Sequence, residues 1–403
     1  MAKAKPKTYT ETEVTPEILI ARAHDMIPVL RERATATDEA RQLLPENAAA
    51  FQKAGFFRTV QPKRYGGFEF DFETMFKITI EVGTGCPSSA WVLCLLGLHN
   101  WLVGWWPKSG QDELFANDGN VRIPIVLAPS GTAEKIDGGY SLSGKWAYAS
   151  GIDNADFVGV AAMVKGLPDD QKAPPLTLII PSDKMDVIDN WYTLGLRGTG
   201  SKIVACENIF VPEHLCFTLA LSEKKATGGV GLHDNPIYHG FPRVPVFSMG
   251  GTAPALGATL LMIDAYTDRL QTHVNAYMPG KHLEMSSSQM RLGRAKALYE
   301  GASTLFFKTS REYTDMIMAG EEITIQHRTR FRAQIAETLY TCGHIVDMLM
   351  DDAGTGAFVD GSPLQRAFRD VRMIRSHVAM NIENAAQNYG RTELGFDPIP
   401  PLF

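Results

Sequence analysis

Three side chains in this sequence have the chemistry to hold or move a proton beside a ligand: Ser150, His377 and His99. Ser150 closes the run Gly-Gly-Tyr-Ser-Leu-Ser-Gly-Lys-Trp-Ala-Tyr-Ala-Ser-Gly, residues 138–151. The run reads as a hairpin with Gly138-Gly139 as its tight turn. Trp146, Tyr148 and Ser150 fall at period 2 and so share one strand face. Two aromatic rings followed by a hydroxyl make a flat apolar platform with one polar contact at its edge. Such a surface suits a planar conjugated ligand such as a flavin ring. It equally suits a half-buried strand whose aromatics belong to the core.

His377 lies in the helical pattern Phe368-Arg369-Asp370-Val371-Arg372-Met373-Ile374-Arg375-Ser376-His377-Val378. From the pattern alone it is a core histidine bonded across helices or a group that titrates near neutral pH. His99 lies in Leu98-His99-Asn100-Trp101, within a stretch from Glu81 to Lys108 that has no charged residue between its ends. A buried imidazole must satisfy both nitrogens or lose about 1–3 kcal/mol, so His99 is a satisfied core residue or lines a cavity. Residues 190–202 form a Gly-rich turn carrying Arg197, Thr199 and Ser201 ahead of a strand. They lack the spacing of a phosphate-binding loop. The Gly228-Gly229-Val230-Gly231 run is too weak for a dinucleotide fingerprint, and no Rossmann unit is visible.

The elements that must position these groups separate by texture. Residues 15–118 are helical, with Pro45 opening one helix as a first-turn proline. Residues 122–222 hold short apolar runs (Ile123–Leu127, Phe157–Val164, Leu176–Pro181, Ile203–Val211) between turn residues, with Leu167–Pro175 as an exposed hairpin loop. From Pro245 onward, Gly251–Val274, Glu284–Met318, Thr324–Asp352 and Leu364–Arg391 show apolar residues at helical spacing, as in an antiparallel bundle. Lys224–Pro242, rich in Gly, His and Pro, is long enough to be a functional loop or lid. The chain therefore divides into 1–121, 122–225 and 226–403. Ala90–Trp106 has the apolarity of a membrane span, yet its Gly, His and Asn residues mark it as a buried core helix. With 45% hydrophobic and 21% charged residues and a net charge of −6, the composition is that of a globular protein and argues against a nucleic-acid role. Five scattered cysteines support neither a disulfide framework nor a metal site, which fits a cytoplasmic protein. The N-terminus, with Lys3, Lys5 and Lys7, lacks the apolar core of a signal peptide.

The residues around Tyr148-Ala149-Ser150 resemble the flavin-contacting strand of the acyl-CoA dehydrogenase superfamily. They are closest to one branch, the group D flavin-dependent monooxygenases of two-component systems, typified by the 4-hydroxyphenylacetate 3-hydroxylase oxygenase component. Pro62-Lys63-Arg64-Tyr65-Gly66-Gly67 is similar to that family's Pro-x-x-Tyr-Gly-Gly signature, and the resemblance spans residues 45–395. It implies an α+β, acyl-CoA dehydrogenase-like fold: an N-terminal helical domain, a middle β-barrel or sandwich, and a C-terminal four-helix bundle. It also implies a co-substrate that arrives as reduced flavin (FMNH2 or FADH2) from a separate NAD(P)H:flavin reductase. O2 would then hydroxylate a small phenolic or indolic substrate through a flavin C4a-hydroperoxide, in aromatic-compound catabolism, within a homotetramer.

The resemblance assigns roles residue by residue. Ser150, His377 and His99 are implied to be catalytic. Tyr148, Ala149, Ser150, Arg197, Thr199, Ser201, Arg243, Gly354, Gly356 and Arg369 are implied to bind the cofactor; no metal is implied. The glutamate base of many dehydrogenases falls at Val378, which cannot take a proton. The Arg-x-x-Phe-Gly segment that grips permanently bound FAD falls at Ala276-Tyr277-Met278-Pro279-Gly280, without its Arg and Phe, which implies weak retention of oxidised flavin. Three alternatives share the scaffold: an acyl-CoA dehydrogenase with a displaced base, a non-catalytic binder, and an oxygenase acting on nitrogen or sulphur. Trp101, Trp105, Trp106 and Phe241 fit an aromatic pocket or plain core packing.

Overall fold

The computed structural model describes residues 14–116, 119–166, 174–272 and 282–400. Most of the expected 167–175 loop, the 276–280 segment and the N-terminal lysines lie outside them. Among the described residues six α-helices come first: α1 (Pro16–Asp25), α2 (Ile27–Ala40), α3 (Pro45–Ala54), α4 (Phe72–Gly85), α5 (Pro87–Val103) and α6 (Lys108–Leu114). Pro16, Pro45 and Pro87 each occupy a first-turn position, where the missing N–H costs nothing. Asp71 caps α4 by accepting from the Thr74 amide at 2.8 Å.

Seven strands follow: β1 (Ile125–Ile136), β2 (Gly139–Ala149), β3 (Phe157–Val164), β4 (Leu176–Pro181), β5 (Asp186–Ile188), β6 (Lys202–Pro212) and β7 (Cys216–Phe217). They form one sheet in the order β5-β6-β2-β1-β3-β4-β7, with only β1 and β3 parallel. The β1–β2 turn is Asp137-Gly138, because Ile136 already pairs with Gly139. The expected Gly138-Gly139 turn is therefore displaced by one residue.

Five further α-helices follow among the described residues: α7 (Val244–Thr272), α8 (Ser286–Met318), α9 (Ile325–Ala353), α10 (Pro363–Arg375) and α11 (Ile382–Glu393). The expected continuous helix over 364–391 is broken. Ser376 ends α10 and His377 takes an extended conformation (φ −71°, ψ 130°). Buried Arg332 of α9 stabilises the break by donating to the carbonyls of Ala379 (3.0 Å) and Val378 (3.3 Å) just past the end of α10.

α4, α5 and α7 cross at the centre of the molecule. Gly83 and Gly257 permit the α4–α7 approach, since a Cβ on Gly83 would lie 3.1 Å from Gly257 Cα. Ala90–Trp106 forms α5 and the turn after it, with every α5 residue buried except Leu95. Among the described residues the helix long and apolar enough to cross a membrane is α7 instead, and 89% of its most apolar window is buried inside the chain. Trp101, Trp105 and Trp106 are fully buried, and their indole nitrogens donate to Ile237 O, Ile237 O and Leu215 O. They are core. The first two bonds, with Tyr238 Oη donating to Val60 O, fasten the 224–242 segment down. Gly228 and Gly229 are packing glycines: a Cβ on Gly228 would overlap the Trp106 carbonyl and one on Gly229 the Tyr238 carbonyl.

Candidate active site

The face expected at the end of β2 is not continuous. Trp146 points into the sheet's core, with Nε1 donating to Ala161 O at 2.7 Å. The β2–β6 register then shifts between Trp146 and Ala149, and Tyr148 adopts φ +71°. This bulge turns the Tyr148 ring outward, 70% exposed and edge-on to Trp191 at 6.0 Å. The shared Trp146–Tyr148–Ser150 platform is thus corrected to one exposed ring followed by a buried hydroxyl. A positive φ on an aromatic residue is costly and marks a position held by its surroundings.

Ser150 is 8% exposed and sits in a connected polar cluster. Its Oγ receives the indole N–H of Trp91 at 3.2 Å and lies 2.7 Å from Ser201 Oγ. Ser201 Oγ lies 2.7 Å from Thr199 Oγ1, which donates to Leu196 O at 2.8 Å. The 196–201 turn is itself strained, with Leu196 at φ +50°. Its Leu196 amide donates to Asp370 Oδ1 at 2.6 Å. Burial pushes the Asp370 carboxyl up to about 7, although Arg369 and Arg366 oppose this. Gly151 follows at φ +80°, where a Cβ would meet Val92 Cγ1 at 2.7 Å, so strand and α5 meet without a gap.

Trp91 also links Ser150 to His377. The two rings lie 5.8 Å apart at 59°. His377 is open to solvent on one side, yet the surrounding protein lowers its pKa below the usual imidazole value. Its Nδ1 accepts from the Ala379 amide at 3.2 Å. A backbone N–H only donates, so the neutral ring carries its proton on Nε2.

Trp91, Leu95 and His99 form one stripe of α5 at i, i+4 and i+8. It faces Phe247 and Gly251 of α7, and Arg243 lies one turn before Phe247 at the helix entry. A Cβ on Gly251 would approach Trp91 at 3.6 Å, and Phe247 lies 5.8 Å from the His99 ring. Burial lowers the His99 pKa to about 4, so the ring is neutral. Its Nδ1 lies 2.9 Å from Ile123 O, and the Ile125 amide lies 3.1 Å from the same nitrogen. The carbonyl contact calls for Nδ1–H and the amide contact for a bare Nδ1, so the two belong to opposite tautomers of the neutral ring. Arg243 makes no ion pair among the described residues, and burial lowers its pKa.

A family model described as acyl-CoA dehydrogenase, C-terminal domain, matches residues 249–382. The flavin-dependent monooxygenase oxygenase subunit HsaA of Rhodococcus jostii is 30% identical over 376 residues, 93% of this chain and 97% of that protein. This chain belongs to the oxygenase subunits of flavin-dependent monooxygenases. The p-hydroxyphenylacetate 3-hydroxylase oxygenase component of Acinetobacter baumannii is 27% identical over 399 residues, 98% and 94% of the two chains. XiaF from Streptomyces sp., solved with FADH2 and glycerol, superposes with a TM-score of 0.89 at 25% identity, covering 96% of this chain and 98% of that one. The acyl-CoA dehydrogenase-like α+β fold stands, as does the assignment to the oxidoreductases.

Within this oxygenase subunit the remaining expected residues scatter. Arg197 and Arg369 line a cavity of about 410 Å³ with Arg366, Asp38 and Thr193. Both are held by Asp38: Arg369 Nη2 lies 3.1 Å and Arg197 Nε 3.6 Å from its Oδ2. Ser150, His99 and His377 do not line that cavity. Gly354 and Gly356 lie at the end of α9 beside Arg269, which donates to Ala353 O at 2.6 Å. Ala149 is buried at the bulge. Trp91, Phe247 and Arg332 are not marked out by the sequence, because each looks like ordinary core or bundle surface. For Trp91 the one available signal was its two-turn spacing from His99.

Proposed function

We propose that this chain is the oxygenase component of a two-component system. It takes reduced flavin, FMNH2 or FADH2, from a separate NAD(P)H:flavin reductase and uses O2 to hydroxylate a small aromatic substrate. The observation that carries this reading is the grouping of Ser150 and His377 around Trp91 beside the outward ring of Tyr148. It provides a planar contact, a dry hydroxyl and an imidazole within one indole's reach. Relatives are named for p-hydroxyphenylacetate, resorcinol and indole-3-acetate, all aromatic.

The donor set fits a flavin. Tyr148 offers a ring face, Ser150 a hydroxyl for the ring's N5 edge, and Arg243 a cation for the negative charge of a reduced ring. When bound, reduced flavin supplies the electrons that activate O2. The chain's own residues exclude water and orient the substrate. Trp91, Val92 and Leu96 wall the Ser150 side with apolar surface, which suppresses loss of oxidising power as hydrogen peroxide. His377 presents Nε2–H as a donor to a phenolic oxygen, and His99 offers its Nε2 edge to a polar group of the substrate.

Cytoplasmic location and a homotetramer complete the reading. Tyr148, Leu194, Phe358, Val359 and Val378 each leave half or more of their apolar surface exposed for a further copy to cover. Gly354 and Gly356, remote from Ser150 within one chain, are then available to a neighbour's cofactor. The test is to give the purified chain chemically reduced FMN or FAD, O2 and a panel of phenols and indoles. Hydroxylated product without any reductase present supports the reading. Flavin reoxidation with no product from any substrate overturns it.

A further inference from the structure

We propose that the hydroxyls of Ser201 and Thr199 orient Ser150 so that it can only accept a hydrogen bond from the ligand, which makes the site discriminate reduced from oxidised flavin. The inference rests on the reading above, in which Ser150 meets flavin N5. Reduced flavin carries a hydrogen on N5; oxidised flavin has a bare lone pair there.

The orientation follows from counting protons. A hydroxyl has one hydrogen to donate and two lone pairs. Thr199 Oγ1 lies 2.8 Å from the Leu196 carbonyl, which only accepts, so the Thr199 proton is committed there. At the 2.7 Å contact between Thr199 and Ser201, Ser201 must therefore donate. Its proton is then spent, and at the 2.7 Å contact between Ser201 and Ser150 the donor must be Ser150. The Trp91 indole N–H fills one lone pair of Ser150 Oγ. One lone pair is left, and no proton.

All three hydroxyl residues are buried, so water does not reset the chain from outside. Successive bonds running in one direction also polarise each other. An N5–H completes Ser150. A bare N5 faces it lone pair to lone pair, unless Ser150 withdraws its proton from Ser201 and leaves a buried acceptor unmet. Ser201, Thr199 and Trp91 are in this sense positioning residues. The first two set the proton's direction, and Trp91 occupies a lone pair without touching that direction.

The experiment is an anaerobic titration of the full chain with FMN and FAD, each oxidised and dithionite-reduced, in wild type and in Ser201→Ala, Thr199→Val and Trp91→Phe. Circular dichroism checks that each variant folds. In Ser201→Ala the Ser150 proton loses its acceptor and becomes free to meet a bare N5. In Thr199→Val the Ser201 proton turns to Ser150 and releases the Ser150 proton in the same way. Both should lower the ratio of oxidised to reduced Kd roughly tenfold, equivalent to about a 30 mV shift in the bound flavin's two-electron midpoint. Trp91→Phe should leave the ratio unchanged. If Ser201→Ala and Thr199→Val weaken both redox states in parallel, the inference is wrong while the functional reading stands. If the wild-type chain binds neither form of either flavin, both fail.

Discussion

Arg332 donates from Nε to the Ala379 carbonyl at 3.0 Å, two residues beyond His377. The guanidinium is 1% exposed, and burial lowers its pKa, so the chain places a desolvated cation where α10 stops. Without it, the Val378 carbonyl keeps only the Asn381 amide and the Ala379 carbonyl only the Ser248 hydroxyl, each at 3.5 Å. Arg332→Met should lower stability by about 3 kcal/mol and, in the folded fraction, abolish product formation while flavin still binds. Urea unfolding and flavin titration separate the two effects.

His377 holds its proton on Nε2, because Nδ1 receives the Ala379 amide. A donor at that position is what the substrate would meet. His377→Gln keeps a donor and should retain part of the activity, whereas His377→Ala should lose on the order of 10²-fold in product formation. The lowered His377 pKa adds a pH signature. Activity should stay level through neutral pH and fall only on the acid side of the ordinary imidazole range, where protonation of Nδ1 breaks the Ala379 bond. Equal loss in Gln and Ala variants would contradict the donor role.

Ser150→Ala removes the only hydroxyl between Trp91 and Ser201 and leaves the indole N–H unmet. The share of O2 released as hydrogen peroxide should rise at the expense of product, by roughly tenfold in the peroxide-to-product ratio. A peroxide assay run beside product quantification reads this directly.

Asp370 gives a stability signature. Burial pushes its carboxyl up to about 7 from an ordinary value of 3.8. Between those values the folded chain keeps a proton that the unfolded chain has released. Stability from this group is therefore fully present below pH ~4, declines as pH rises through the window, and is flat above about 7, with a slope on the order of 1 kcal/mol per pH unit. Asp370→Asn should remove that slope. Chemical denaturation of both proteins at pH 5, 6, 7 and 8 checks it.

The strand runs, the proline-opened helices and the apolar core helix carrying His99 were legible because each rests on local composition or periodicity. Four features were not. The break at His377 has no helix-breaking residue before it and depends on Arg332, some 45 positions away. The outward turn of Tyr148 depends on a register shift against β6, and period-2 counting assumes an unbroken strand. Trp91 carries no local mark of its bond to Ser150, since a tryptophan in an apolar helix reads as core until the partner strand is in place. Residues 224–242 had the composition of a lid but are fastened by Trp101, Trp105 and Tyr238, a long-range relation that composition does not encode.

The most direct measurement is isotopic. The chain is mixed with photoreduced FMN or FAD and 18O2 in the presence of a phenolic substrate, and the product is weighed by mass spectrometry. One 18O atom in a new hydroxyl group, with peroxide as the minor product in wild type and the major one in Ser150→Ala, is the expected result. Unlabelled substrate recovered intact with all O2 released as peroxide, or oxidation of an acyl-CoA thioester in place of the aromatic ring, would contradict it.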